Sequence, residues 1–377
     1  MKTVAFAGGI AVWLVLGAVA SGAAAAAELR SVDTQQGPIA AETLASGLNH
    51  PWGMAFLPDG RLLVTERAGA LRLLATDRRL SPPLGGVPKV FHRGQGGLLD
   101  VALDPQFASS SLVYLSYAEP GEGGASTALG RGRLAGDKLE HFEVIFRQQP
   151  KVDGPNHFGG RVVFAGDGLL FLTLGERFKF EPAQDLRNHL GKIVRIRADG
   201  SVPADNPFVG RSDVKPEIWT YGHRNIESAA IEPQSNALWV AEMGPLGGDE
   251  LNLIEPGKNY GWPLVSWGKH YDGRDIPDPP SRPDLTDAVK HWTPVISPSG
   301  MIFYTGEMFP RWRDSMFIGG LSAGGLVRLT FENGRPVAEE RISLGTRIRD
   351  VEQAPDGSIY VLTDEDDGDI LRLSAAR

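Results

Sequence analysis

An apolar run, a polar turn and a second apolar run recur six times along this chain, and that repeat constrains its fold more than any other feature. The copies begin at Trp52-Gly-Met-Ala-Phe-Leu-Pro-Asp-Gly-Arg-Leu-Leu-Val-Thr-Glu66, at Leu98 to Phe107 with Leu112 to Tyr117, and at Arg161 to Glu176. They continue at Ser228 to Glu242, at Gly300 to Tyr304 with Ser315 to Gly319, and at Arg349 to Thr363. Each is followed by one or two shorter apolar runs, such as Ala70 to Leu74, Leu326 to Thr330 and Asp369 to Leu373. Strand hairpins recurring roughly every 45–70 residues are the mark of a β-propeller, one four-stranded blade per repeat. The expected fold is therefore all-β, a six-bladed propeller of four-stranded antiparallel blades, with Ile39 to Leu48 available to close the last blade. A sandwich of the same strand count is the competing architecture. No long stretch sustains the 3.6-residue period of a helical domain.

Composition agrees. The 377 residues contain 47 glycines and 27 prolines, as many short strands joined by tight turns require. The net charge of −8 and the absence of a basic run with interleaved aromatics argue against a nucleic-acid surface. Met1-Lys2, an apolar run from Val4 to Ala20 and small residues to Ala27 read as a secretory signal over residues 1–27, cleaved near Ala27. An uncleaved membrane anchor is the other reading of that stretch. Residues 28–377 are then one propeller domain, periplasmic or secreted, with no later segment able to span a membrane. There is no cysteine, so packing alone must hold the exported chain.

In a propeller, loops at one end of the blades converge on the central axis, so residues just ahead of each repeat can share a site. Gln95 precedes the second repeat, His157 the third and Arg224-Asn225 the fourth, while Arg347 and Arg349 open the sixth. A loop histidine near neutrality suits general-base chemistry, and the arginines suit an anionic ligand. There is no phosphate loop in a strand-to-helix context and no histidine cluster with zinc-like spacing. The loop Glu242-Met-Gly244-Pro245-Leu-Gly-Gly-Asp249-Glu250, with Tyr260 beyond it, offers carbonyls and carboxylates to a hard cation such as calcium. A solvated acidic turn explains it equally well. Asp364 to Asp369 reads as a hairpin turn.

Gly94-Gln-Gly-Gly-Leu-Leu-Asp100, Asn156-His-Phe-Gly-Gly-Arg161 and Ile218-Trp-Thr-Tyr-Gly-His-Arg-Asn225 resemble stretches of the soluble pyrroloquinoline quinone (PQQ) sugar dehydrogenases, in particular the aldose sugar dehydrogenases. So do Gly247 to Asn252, Gly257 to Pro263, Arg347-Ile-Arg-Asp350 and Tyr360 to Asp364. The resemblance runs from about residue 45 to the C-terminus. It implies PQQ held over the axis with a calcium ion on its quinone side, and an aldose oxidised at its anomeric carbon to a lactone, with electrons passing to an external acceptor. His157 would be the base that takes the anomeric hydroxyl proton as hydride leaves for the quinone. Gln95 would orient the sugar and quinone oxygens, Arg224 and Asn225 would contact the quinone, and Arg347 and Arg349 would pair with PQQ carboxylates. Gly244 and Pro245 would give carbonyls to the calcium. Glu250 and Tyr260 match a calcium site, Tyr271 a ring near the cofactor, and Ser322 and Ala323 the stretch that borders it.

Two departures stand out. Related chains carry a lysine, paired with a PQQ carboxylate, where this one reads Gly320-Leu-Ser-Ala323, and Met243 and Leu246 replace residues that are often polar. A calcium-dependent propeller lactonase and a propeller that binds without catalysis stay open as alternatives. The sequence leaves sugar preference, the electron acceptor and oligomeric state undetermined.

Overall fold

A computed structural model describes residues 1–3, 29–166 and 168–376. Six antiparallel sheets form a six-bladed propeller. The first strands of the blades, Pro51–Phe56, Leu98–Leu103, Gly159–Phe164, Ile226–Ile231, Pro298–Phe303 and Ile348–Gln353, touch one another in sequence order and close back on the first. This closed ring rules out the sandwich. Four blades have four strands. In the first blade, Pro51 to Leu74, an isolated bridge from Leu74 to Leu80 occupies the outermost position. Ile39–Leu48 pairs antiparallel with Gly368–Ala375, closing the last blade as expected, and Leu29–Val32 adds one strand outside it. The signal-peptide expectation falls on residues 4–28, outside the described residues. Among the described residues no helix is long and apolar enough to cross a membrane.

The strand sequences explain their positions. Second strands such as Leu62–Glu66, Leu169–Leu174 and Leu238–Glu242 are buried throughout because blades pack on both faces, and their sequences are accordingly apolar up to Thr65-Glu66, Thr173 and Glu242 near their ends. Outer strands such as Arg335–Ser343 meet water and turn polar. The six large apolar clusters lie between blades, one at each interface. For example, Tyr114, Leu129, Leu170 and Leu172 join the second blade to the third, and Leu48, Met54, Val64, Leu362 and Ile370 join the last to the first.

Every inner strand carries a register shift near its start. A bulge leaves ladder groups unpaired and re-aims a side chain, and here hydroxyls fill the gap. Thr65 Oγ1 accepts from Gly53 N at 2.9 Å and donates to Leu99 O of the next blade at 2.5 Å. Ser116 Oγ accepts from Asp100 N at 3.0 Å and donates to Gly160 O at 2.5 Å. Thr173 Oγ1 accepts from Arg161 N at 2.9 Å and donates to Ile226 O at 2.9 Å.

The bulges also turn charged side chains onto the axis. Arg161 reaches Asp350 Oδ1 at 2.8 Å and Asp100 Oδ1 at 3.1 Å, donates to Glu227 O and Arg349 O, and lies over the Trp52 ring. The second carboxylate oxygens extend the tie to neighbouring blades, Asp100 Oδ2 accepting from Val162 N at 2.8 Å and Asp350 Oδ2 from Met54 N at 2.9 Å. Burial pushes both carboxyls above their ordinary range, with Arg161 opposing it. Arg161→Met would leave two buried carboxylates without their cation, and the expected cost is about 3–5 kcal/mol. Urea unfolding at pH 7 measures it; a loss below about 1 kcal/mol would contradict the role given to this arginine.

Candidate active site

The loops that lead into the inner strands gather at one end of the axis. His157 lies two residues ahead of Gly159–Phe164, in the left-handed region at φ 55°. Gly175 makes room for this geometry, because a Cβ there would fall 2.0 Å from the His157 carbonyl oxygen. The His157 amide donates to Gln95 Oε1 at 2.6 Å, and Gln95 N donates to Pro155 O at 2.8 Å, so Gln95 positions the histidine loop. Arg177 stacks 3.5 Å from the Phe158 ring and donates to Asn156 O and Gly154 O, which clamps the other side.

His157 is buried, and its Nδ1 lies 2.5 Å from Glu176 Oε1. Glu176 lies two residues past the strand Leu169–Leu174, and nothing in its local sequence marks this role. Burial pushes the imidazole below its ordinary pKa, against the hydrogen bond it donates to Glu176, which raises it. Burial would raise the Glu176 carboxyl in turn, but the hydrogen bond it accepts from His157 holds it below the usual range. Both directions describe a neutral imidazole whose Nδ1–H is donated to a carboxylate, leaving the Nε2 lone pair available. Glu176 Oε2 also accepts from Phe180 N at 2.8 Å and from Lys179 N, so the same carboxylate folds the turn that follows. Arg177, Phe178 and Phe180 in that turn all have positive φ, a concentration of backbone strain of the kind found at working sites. Phe178 meets the His157 ring edge-on at 5.1 Å.

Arg224 is buried and donates through Nη1 to Met243 O at 3.0 Å and Gly244 O at 2.9 Å, and through Nη2 to Tyr271 Oη at 3.1 Å; its Nε has no partner. A cleft of about 240 Å³ beside it is lined by Phe178, Phe180, Pro245, Trp262, His270 and Tyr271, together with the ion pair Asp272–Arg274. Tyr271 is 61% exposed and stacks with Phe178. Asn225 is at the expected level, but its amide is committed to protein: Oδ1 accepts from Gly159 N at 3.0 Å and Nδ2 donates to Glu227 Oε1 at 3.1 Å. It ties the histidine strand to the fourth blade.

Arg347 and Arg349 converge on Asp364, at 2.8 and 3.0 Å, and Arg349 also pairs with Glu227. Arg349 is buried, whereas half of the Arg347 side chain is exposed. The turn expected from Asp364 to Asp369 does link Ile359–Thr363 to Gly368–Ala375, but Asp364 itself is buried and faces the site. Burial works against its charge, and Arg349 and Arg347 nevertheless hold its carboxyl far below the usual range. Ser322 Oγ is engaged by Ser297 Oγ at 2.8 Å and by Val295 O at 3.2 Å, and Ala323 N by Ile296 O at 3.3 Å, so neither side chain brings a charge to the cleft.

Around the acidic loop, Glu242 accepts from His223 Nδ1 at 2.9 Å and from Asn252 Nδ2 at 3.2 Å, and Glu250 from Asn252 at 3.3 Å. Desolvation, reinforced by the Glu242 charge, pushes the Glu250 carboxyl well above its ordinary value. Asn252 Oδ1 is buried without a partner. The Tyr260 hydroxyl is engaged, donating to Leu253 O at 2.7 Å and accepting from Glu255 N at 2.9 Å, while Tyr260 and Glu250 line one small pocket with Glu242 and Gly244. Among the described residues no three histidine, aspartate or glutamate side chains converge on one metal-sized point, so a cation here would draw on carbonyls as well.

Residues 48–372 match the profile of the glucose/sorbosone dehydrogenase family. The chain belongs to that family. It is 47% identical over 341 residues to aldose sugar dehydrogenase YliI of Escherichia coli (strain K12), covering 88% of this chain and 92% of that one. The crystal structure of the soluble aldose sugar dehydrogenase from Escherichia coli in the apo-form superposes with a TM-score of 0.86 at 45% identity, covering 90% of this chain and all of that one, 100%. The PQQ-bound form of aldose sugar dehydrogenase from Streptomyces coelicolor superposes at 0.73 with 31% identity, covering 89% of this chain and 96% of that one.

Within this family fold the protonation of His157 is directly measurable. An NMR titration of the imidazole nitrogens is expected to find His157 neutral and protonated at Nδ1 at pH 6.5, with its midpoint shifted to more acid pH. The sign follows from burial: folding favours the neutral ring, so stability is lost as pH falls from the unfolded value, about 6.5, toward the lower folded one. A midpoint above 6.5 would contradict the assignment.

Proposed function

We propose that this chain is a PQQ- and calcium-dependent aldose dehydrogenase that oxidises the anomeric carbon of a sugar to the lactone. The observation that carries the proposal is His157: a buried, neutral imidazole whose Nδ1 is spent on Glu176, beside a cleft walled by aromatic rings and guanidinium groups. Membership of the glucose/sorbosone dehydrogenase family supports the substrate class, and the PQQ-bound Streptomyces relative supports the cofactor.

The residues present suit PQQ, a flat tricarboxylate. Flat aromatic side chains line the cleft. The Nε atoms of Arg224 and Arg349 are buried without partners, and such donors are costly unless a ligand or water answers them. When bound, PQQ supplies the two-electron acceptor for the hydride from the sugar C1. The protein does the rest. His157 Nε2 takes the proton from the anomeric hydroxyl, so the oxygen keeps its electron pair and forms the carbonyl as C1 loses hydride. Glu176 holds the ring in the tautomer that leaves Nε2 open and stabilises the imidazolium that forms. Gln95 holds the histidine loop, and Arg224 stabilises negative charge that develops at the acceptor. Arg347 is the more accessible of the paired arginines and is suited to a carboxylate at the mouth of the site.

Calcium fits the donor set around Gly244 and Pro245. Glu242, Met243, Gly244, Gly248 and Glu250 line one small pocket. A cation there would favour the ionised form of Glu250, which burial and Glu242 disfavour, and would take the Gly244 carbonyl from Arg224. A divalent cation there would act as a Lewis acid on the quinone side. Export, with the leader removed near Ala27, belongs to the same reading and is supported by the pattern of Met1 to Ala27.

Purified protein given PQQ and calcium should reduce a redox dye in the presence of aldoses. His157→Ala should bind PQQ within about threefold of wild type and lose at least about 100-fold in kcat. Glu176→Gln should lose about 10- to 1,000-fold in kcat, with its acid limb displaced to still lower pH because a contact that raises the imidazole pKa is gone. Sugar oxidation at the wild-type rate by His157→Ala refutes the base. Absence of both PQQ binding and turnover in wild type refutes the function. Dialysis against a calcium chelator should abolish dye reduction and calcium should restore it; activity indifferent to both would remove the metal from the scheme.

A further inference from the structure

One cation near the mouth of the axis, Arg67, has no side-chain partner among the described residues. Arg67 follows the strand Leu62–Glu66 and is fixed at both backbone ends, its N–H donating to His50 O at 3.1 Å and its carbonyl accepting from Leu98 N at 3.0 Å. Its side chain lies against the loop that carries Gln95: a Cβ on Gly97 would come within 2.5 Å of Arg67 Cγ and 2.0 Å of Arg67 O, so only glycine permits this approach. The adjacent carboxylate does not serve it, because Glu66 receives Asn49 N at 2.7 Å and Arg72 at 3.3 Å. Among the described residues the Arg67 guanidinium makes no hydrogen bond or ion pair, and its Nε is buried.

The charges that act most on Arg67 are those of Asp364, Arg349, Glu227 and Arg347, and Arg67 in turn acts on His92. Burial depresses the pKa of Arg67, and Arg349 and Arg347 depress it further, while the two carboxylates oppose them. Both carboxylates are already paired with Arg347 and Arg349. Three guanidinium groups therefore share two carboxylates, and Arg67 is the one left over. A half-buried guanidinium with no partner, at a site rich in its own charge, is stable only against an anion or water, and its planar fork matches a carboxylate.

We propose that Arg67 is a PQQ-binding residue that pairs with a carboxylate of the cofactor, making from the first blade the cationic contact for which the fifth blade, at Gly320 to Ala323, has no lysine. The proposal rests on the PQQ reading above and deepens it. It also accounts for Gly97: the glycine lets the Gln95 loop and the Arg67 turn approach one another at the site.

The test is equilibrium binding, read by quenching of tryptophan fluorescence, with turnover playing no part. Apoprotein is titrated with PQQ and, separately, with its trimethyl ester, which keeps the ring system and loses the carboxylate charges. Arg67→Met is expected to bind PQQ about 10- to 100-fold more weakly than wild type, to bind the ester within threefold of wild type, and to melt within about 2 °C of it. Arg67→Lys, which keeps the charge and loses the fork, should fall between, and it decides the question if Arg67→Met does not fold. PQQ affinity unchanged within twofold in Arg67→Met overturns the inference and leaves the proposed function standing. An equal loss for PQQ and for the ester also overturns it, because Arg67 would then shape the cleft without pairing with a carboxylate. Failure of wild type to bind PQQ removes the reading beneath both.

Discussion

The whole arrangement depends on how a ring of six blades is closed at its axis. Six inner strands must approach one another there without leaving backbone groups or charges unanswered, since an unpaired buried group costs as much as several good contacts return. Arg161 meets that demand on one level, joining the carboxylates of the second and last blades and the backbone of the fourth and sixth. The hydroxyls of Thr65, Ser116 and Thr173 do the same for the bulged backbone, each linking its own blade to the next. Apolar clusters between blades supply most of the burial, but they are non-directional. The polar axis decides register.

The site is built on that closure. Because each inner strand bulges near its start, the loops that lead in bring residues far apart in sequence together, Gln95 with His157 and Arg347 with Asp364 beside Arg349. Asn225 shows how tightly scaffold and site are joined: its amide binds the third blade to the fourth, directly beneath the histidine. Low dielectric then shapes the chemistry. It keeps His157 neutral, makes the Glu176 contact strong, and makes every unpartnered guanidinium at the mouth an attraction for anions. Positive φ at His157, Arg177, Phe178 and Phe180 marks where the chain accepts local strain to set those groups.

Much of this was legible in the residues. The apolar runs and their turn residues were enough for six blades, because a second strand buried on both faces must read as a hydrophobic run over most of its length. The position of Ile39 to Leu48 ahead of the first repeat was enough for the closing strand. Of the candidates just ahead of the repeats, Gln95 contacts His157 directly, and Arg347 and Arg349 share Asp364. Other features were harder to see. A carboxylate ends the second hairpin strand at Glu66 and Glu242, with Glu176 and Asp364 just past the strand end, and all four turn back toward the lead-in loop of their own blade. That recurrence was visible in the sequence and would have pointed to Glu176. Nothing in the sequence showed that Asp364 would leave its turn, or that the Tyr260 hydroxyl would be engaged by Leu253 and Glu255.

By itself the sequence determined the blade count, the closing strand and the kinds of group available at the axis, because these follow from local periodicity and from which residues precede each repeat. Only the tertiary structure decided partnership: His157 with Glu176, Arg349 with Glu227 and Asp364, Arg161 with two aspartates, and the Arg67 side chain with none of the described residues. The physical reason is that an ion pair or hydrogen bond is settled by distances of a few ångströms between residues from different blades. Those distances exist only once the ring has closed.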